Sequence, residues 1–178
     1  MMLYFIAIVA PDHINQQVLE WKHYMQQQFN CQVALKSPAH ITLVPPFSMR
    51  NEQEPELTGI LEQLAPQLQR FPVHLKNFDA FKPRVIFVHI QPDDRLQQLK
   101  KKVESTLLQT NRFPVKKEDR PFHPHITIAN RDLQKEDFQS AWQHFQSIQY
   151  EAVFEADNVS LLRHNGAKWD LVHTSIVN

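Results

Sequence analysis

Apolar and polar residues repeat with two different periods along this chain, and each change of period marks an element. Leu3 to Ala10 is one apolar run, as in a strand buried on both faces. Pro11-Asp12 ends it as a turn, with Asp12 placed as a helix N-cap. Ile14, Val18, Trp21 and Met25 then recur at helical spacing and predict an amphipathic helix over residues 13–28. Val33 to Leu35 reads as a short strand, and Ala39 to Val44 as a β-branched strand stopped by Pro45-Pro46. Leu57, Ile60, Leu61 and Leu64 predict a second helix that Pro66 kinks or ends. Phe71, Val73 and Leu75 alternate as a half-buried strand does, and Val85 to Ile90 is another strand. Pro92 opens a third helix, with Asp93 and Asp94 in its first turn where carboxylates favour the helix dipole. Its stripe is Leu96, Leu99, Val103 and Leu107, and Lys100, Lys101 and Lys102 read as its solvated face. Thr110 to Arg120 is polar and basic, as a mobile loop would be. Phe122 to Ala129 is a strand, and Phe138, Trp142 and Phe145 support a fourth helix. Ala152 to Leu162 and Lys168 to Val177 form a closing hairpin around Asn165-Gly166.

This order predicts an α+β fold with a hint of internal duplication. The 178 residues, 42% hydrophobic and 21% charged, suit one domain or two small lobes sharing a core. Acidic and basic residues both number 19, which removes any strong case for binding nucleic acid by bulk charge and leaves open a local basic cleft. Two glycines are too few for a phosphate-cradling loop or a dinucleotide fingerprint. The single Cys31 excludes an intramolecular disulfide framework and a multi-cysteine zinc site, and one free thiol suits a reducing compartment. The N-terminal apolar run spans about ten residues against roughly 20 for a membrane span. No Lys or Arg precedes it, so it does not read as a signal peptide. The chain is therefore expected to be cytoplasmic.

Candidate chemistry comes from two near-identical tetrapeptides, His40-Ile41-Thr42-Leu43 and His125-Ile126-Thr127-Ile128, 85 residues apart. Each lies in a predicted strand, where alternate side chains share a face. His40 and Thr42 therefore point one way while Ile41 and Leu43 enter the core, and the second copy repeats the arrangement. Chance would supply both copies in on the order of one chain in a thousand of this composition.

Paired imidazoles titrate near neutral pH and can divide a proton-transfer task. One takes a proton from a nucleophile and the other gives one to a leaving oxygen. Two hydroxyls beside them can hold the non-bridging oxygens of a phosphodiester. No cofactor is needed for such chemistry.

The duplicated motif resembles that of the two-histidine (2H) phosphoesterase superfamily, which includes bacterial RNA 2′,3′-cyclic phosphodiesterases, once called 2′-5′ RNA ligases. Pro121-Phe122-His123-Pro124-His125-Ile126-Thr127-Ile128 looks like that family's second motif with its preceding context, and Ala39-His40-Ile41-Thr42-Leu43 like its first. Arg84 to Pro92, a strand leading into a helix, fits its middle region. The resemblance implies a bilobal, pseudo-symmetric fold, with two antiparallel-sheet lobes and outer helices facing a central cleft. It implies His40 and His125 as the acid/base pair and Thr42 and Thr127 as phosphate holders. The implied substrate is a nucleotide or short RNA bearing a 2′,3′-cyclic phosphate or a 2′-5′ linkage, with neither a membrane nor an obligatory protein partner.

Further candidates are less specific. Arg84, Lys36, Arg120 and Arg131 lie near the motif strands and could offset phosphate charge, although solvation is the default for such residues. Phe47, Phe81 and Phe122 could stack on a base, or pack in the core; Phe122 shares the parity of the buried isoleucines. Trp169 is similarly ambiguous. His123 stands at the rim or tunes the cleft. Two other readings stay open: a zinc enzyme using His40, His123 and His125, and a non-catalytic nucleotide- or RNA-binding module on the same fold.

Overall fold

The computed structural model describes residues 1–178. Strands β1 (Met2–Val9), β2 (His40–Met49), β7 (Asn158–His164) and β8 (Trp169–Ile176) form one antiparallel sheet in the order β2-β1-β7-β8. Strands β3 (Pro72–Phe81), β4 (Val85–Ile90), β5 (His125–Ala129) and β6 (Glu151–Glu155) form the second, in the order β5-β4-β3-β6. The fold is α+β, and the duplication is visible in the connections. Helix α1 (Asp12–Phe29) joins β1 to β2, as helix α3 (Asp94–Thr110) joins β4 to β5. Each motif strand is thus an edge strand reached through a crossover helix. Each helix packs against the other sheet's motif strand, α1 on β5 and α3 on β2.

Burial explains this exchange. Ile14, Val18, Trp21 and Met25 give α1 its apolar stripe, and Leu96, Leu99, Val103 and Leu107 give α3 its own. Both stripes join the inner faces of the two sheets in one continuous cluster of 44 buried residues. Helix α2 (Glu54–Leu64) covers β8, and α4 (Phe138–Gln146) covers β3.

Several boundaries differ from the sequence reading. Asp12 is the first residue of α1 and Pro11 its cap, with no side-chain capping bond. Asp93 caps α3, accepting from Arg95 N at 2.8 Å, so Pro92 lies outside the helix. Val33 to Leu35 belongs to a 3-10 turn, Val33–Lys36, and not to a strand. Asp132 Oδ2 accepts from Gln32 N at 2.6 Å and Val33 N at 2.8 Å, which supplies partners that a strand ladder would otherwise give. Strand β2 runs through Pro45-Pro46 to Met49 because it is an edge strand. The pairs Ile6–Val44 and Tyr4–Phe47 set both prolines opposite Phe5 alone, as a bulge. The stretch 152–162 is two strands: the chain leaves β6 in one sheet at Ala156-Asp157 and enters β7 in the other.

The β7–β8 hairpin closes over Asn165 to Lys168, where Gly166 takes a φ of 100°. Residues 111–120 form no strand or helix, yet Phe113 and Val115 are buried and tie this loop to the core. Lys101 and Lys102 are exposed, but Lys100 is buried beside Glu104, 2.5 Å away. One turn of helix brings residues i and i+4 onto the same face, and that face is covered.

Candidate active site

Strands β2 and β5 both begin at a motif histidine and lie against each other where the two sheets meet. Ile41, Leu43, Ile126 and Ile128 are completely buried. The pleat therefore turns His40, Thr42, His125 and Thr127 to the opposite face, where all four are half-buried. Two cavities open on that face and share Thr42. The smaller, about 230 Å³, is lined by His40, Thr42, Thr127, Asn130, Arg131, Trp169 and their neighbours. The larger, about 390 Å³, is lined by Thr42, Phe81, Lys100, Arg120, His123, His125 and others.

The two imidazoles are oriented in the same way. His40 Nδ1 donates to Pro38 O at 2.7 Å, and His125 Nδ1 donates to His123 O at 2.7 Å. Each acceptor lies two residues upstream, one on Pro38 itself and the other on the residue before Pro124, and these prolines restrict the approach to each strand. A proton on Nδ1 satisfies this bond whether the ring is neutral or charged, so Nε2 is the nitrogen left to exchange protons. Each ring also rests on an aromatic neighbour. Phe5 of β1 lies 4.8 Å from His40. Phe87 of β4 and Phe81 of β3 lie 5.0 and 5.2 Å from His125.

Apolar walls disfavour the charged rings. Burial pushes the His40 pKa down to about 4, opposed by the Pro38 bond and helped by the positive charges of Lys22 and His125. Burial also lowers the His125 pKa; the bond to His123 O opposes this and the His123 ring adds to it. Lys22, on α1, is pushed down to about 8 by burial.

The other predicted residues divide. His123 is exposed at the rim of the larger cavity, 4.9 Å edge-on from Phe81. Arg120 lines the larger cavity and Arg131 the smaller. Phe122 does two things: it packs against the core and also faces the larger cavity. Phe47 is no cleft residue; it is 6% exposed and stacks on Tyr4 in the core, because it falls one bulge beyond the motif on the inward face. Arg84 is exposed in the β3–β4 turn and lines neither cavity, and Lys36 is likewise exposed outside both. No three His, Cys, Asp or Glu side chains group so as to hold a metal ion, so His40, His123 and His125 do not form the trio that a zinc site needs. Cys31 is buried, and burial raises its thiol pKa to about 11. No helix is long and apolar enough to cross a membrane.

Comparison with known proteins accords with this geometry. The family model described as "2'-5' RNA ligase superfamily" matches residues 10–168. The chain belongs to that superfamily of two-histidine phosphoesterases. A relative from Geobacillus kaustophilus, provisionally named a phosphoesterase, is 27% identical over 180 residues, 99% of this chain and 96% of its own. The RNA 2',3'-cyclic phosphodiesterase of Bacillus subtilis is 27% identical over 144 residues, covering 72% of this chain and 70% of that one. The crystal structure of TT0787 from Thermus thermophilus has a TM-score of 0.69 at 18% identity, with 99% and 98% of the two chains covered. That of E. coli LigT with 3'-AMP has a TM-score of 0.64 at 18% identity and the same coverage. LigT structures with ATP and with NADP+ are also similar in fold.

Inside this 2′-5′ RNA ligase superfamily fold, four features in or behind the cleft were not legible as chemistry. Phe5 is 3% exposed and forms a small cluster with Ala7 and Leu162, Trp169 packing against it, beneath His40. Its position two residues from Ala7, the partner of Thr42, was a usable parity signal once strand pairing was known. Asn130 Oδ1 is buried at the smaller cavity without a hydrogen-bond partner. Lys100 and Lys22 are buried cations, which residue type alone argues against.

Proposed function

We propose that this phosphoesterase hydrolyses a 2′,3′-cyclic phosphate or a 2′-5′ phosphodiester of RNA or a nucleotide, with His40 and His125 as a general acid/base pair. The matched Nδ1 bonds carry this reading, because they leave both Nε2 atoms free around a cleft that also holds two threonine hydroxyls. One imidazole takes a proton from water as the water oxygen bonds to phosphorus. The bond from phosphorus to the 2′ or 3′ oxygen breaks, and the other imidazole gives that oxygen its proton. Thr42 and Thr127 donate to the non-bridging oxygens, where negative charge accumulates in the transition state. Arg131 adds positive charge at the His40 end of the cleft, whereas Arg120 at the other end is paired with Glu118. The likeness to the B. subtilis RNA 2',3'-cyclic phosphodiesterase and the nucleotides in the LigT structures support this substrate class.

The test is turnover of nucleoside 2′,3′-cyclic phosphates in excess chelator by the parent, His40→Ala and His125→Ala proteins. Hydrolysis by the parent, lost in both variants, supports the two-imidazole mechanism, and the product isomer identifies the bond broken. Absence of turnover on these and on 2′-5′ dinucleotides overturns it and favours nucleotide binding without catalysis.

A further inference from the structure

The loop that leaves β5 is a tight turn, and its first residue forgoes the bond that such turns favour. Leu133 N donates to Asn130 O at 2.8 Å, which closes the turn over residues 130–133. Asparagine suits this first position because its side-chain oxygen can accept from the amide two residues on, here that of Asp132. Asn130 makes no such bond. Its Oδ1 is buried at the smaller cavity and meets no donor of the protein. A buried amide oxygen without a partner is costly. A side chain that could satisfy itself locally, and instead borders a cavity, is shaped for a donor that arrives with a ligand.

The walls around Asn130 are fixed in advance. Asp132 Oδ2 accepts from Gln32 N at 2.6 Å and Val33 N at 2.8 Å, and Leu133 is buried in the core. The turn is therefore tied to the 3-10 turn whose Val33 and Ala34 line the same cavity. Ser37 follows in that lining, and buried Lys22 of α1 donates to its carbonyl at 2.8 Å. Phe5 and Trp169 supply an aromatic side, edge to face at 4.6 Å. A ligand entering these walls has little ordering left to impose.

The chemistry of the substrate class says what that donor is. A 2′,3′-cyclic phosphate ties up O2′ and O3′, and within RNA O5′ is esterified too. The donors left on the terminal nucleotide all belong to its base. The smaller cavity, about 230 Å³, sets Thr42 and Thr127 in one lining with Trp169 and Asn130. A nucleotide held there by its phosphate meets an aromatic face for stacking and an amide for an edge. Adenine presents an amino donor beside a ring-nitrogen acceptor on its N6/N7 edge, which an asparagine amide pairs twice. Resting on the proposed hydrolytic reading, we propose that Asn130 is a specificity-determining residue: the smaller cavity takes the base of the terminal nucleotide, and the Asn130 amide selects adenine by accepting from N6 and donating to N7. Hypoxanthine has the same ring system but carries a carbonyl oxygen in place of the amino group, so it would set one acceptor against another.

Calorimetric titration of full-length parent, Asn130→Ala and Trp169→Ala proteins with adenosine and inosine 3′-monophosphates tests this, beside kcat/KM on the matching 2′,3′-cyclic phosphates. The parent should bind the adenosine compound about tenfold more tightly than the inosine one. Asn130→Ala should bring the two affinities to within about twofold of each other, by weakening the adenosine compound alone. Trp169→Ala should weaken both about equally and keep their ratio, because stacking is indifferent to the group at position 6. The same ratios should appear in kcat/KM. Equal affinity of the parent for the two ligands overturns the proposal. So does an unchanged ratio in Asn130→Ala, or an equal loss of both ligands in that variant. Turnover of both cyclic phosphates without preference overturns the base reading and leaves the hydrolytic one intact. An Asn130-dependent preference in binding, with no turnover by the parent, overturns the hydrolytic reading while the base reading stands.

Discussion

The His40 half and the His125 half of the cleft carry the same motif on equivalent edge strands and fix the ring by the same 2.7 Å bond, yet their surroundings differ. His40 sits over Phe5, beside a buried lysine, in the smaller and more polar cavity. His125 stands against Phe81 and Phe87, next to His123, in a larger cavity whose cations are already paired, Lys100 with Glu104 and Arg120 with Glu118. Duplication thus supplied two equal proton-transfer groups, and their environments made them unequal. A hydrolysis by two imidazoles needs one ring neutral as the base and the other protonated as the acid at the same pH.

The sharpest way to break the comparison is to remove either ring. His40→Ala and His125→Ala should each lower kcat by about 10²–10⁴-fold, the usual weight of a positioned general acid or base. With a leaving group activated enough to depart unprotonated, such as a nitrophenolate ester, the variant that has lost the general acid should recover most of its rate and the variant that has lost the general base should not. Equal recovery would show that the halves are interchangeable. The threonines come next. Thr42 borders both cavities and Thr127 only the smaller. Thr42→Val should cost about 10²-fold in kcat and Thr127→Val about tenfold, read from steady-state kinetics at saturating substrate.

Much of this asymmetry was invisible in the sequence, for physical reasons. Period and parity are local, so the helices, most of the strands and the inward turn of Ile41, Leu43, Ile126 and Ile128 could be read directly. The motif strands, and the sharing of one face by each His and Thr, followed from the same reasoning. Prolines 45 and 46 misled because a proline stops a strand only where its missing N–H is needed, and edge position is a property of the whole sheet. The division of 152–162 between two sheets is equally non-local. Phe47 was ambiguous because one bulge residue reverses parity. Lys22 and Lys100 were hidden by their type. Neither periodicity nor charge pattern reveals a buried cation whose only partner is a carbonyl, or a carboxylate on its own helix.

Stability should report the same inequality with a smaller effect. An unfolded histidine titrates near 6.5, whereas His40 is held at about 4. Between these values the unfolded chain takes up a proton that the folded chain refuses. Stability is therefore full above about pH 6.5 and falls as pH drops toward 4, by about 3 kcal/mol at most. Chemical denaturation at pH 7 and pH 4.5 should show this loss, and His40→Ala should remove most of the part that this ring contributes. Lys22 acts in the alkaline range with the same sign. Its pKa is lowered from 10.5 to about 8, so stability should rise as pH increases through that interval. Lys22→Met should abolish that rise and make the protein about 1–3 kcal/mol more stable at pH 7.

The smallest expected effect concerns which half receives the base. Trp169 is half-buried and edge-on to Phe5 in the smaller cavity, while Phe81 is 39% exposed in the larger. A base stacked on an aromatic side chain gains about 1–3 kcal/mol. If the mononucleotide's base lies on the His40 side, Trp169→Ala should raise KM for a 2′,3′-cyclic nucleotide about tenfold, and Phe81→Ala should leave it nearly unchanged. A 2′-5′ dinucleotide has a second base, so for that substrate Phe81→Ala should matter as well. The opposite pattern with the mononucleotide would place its base beside His125.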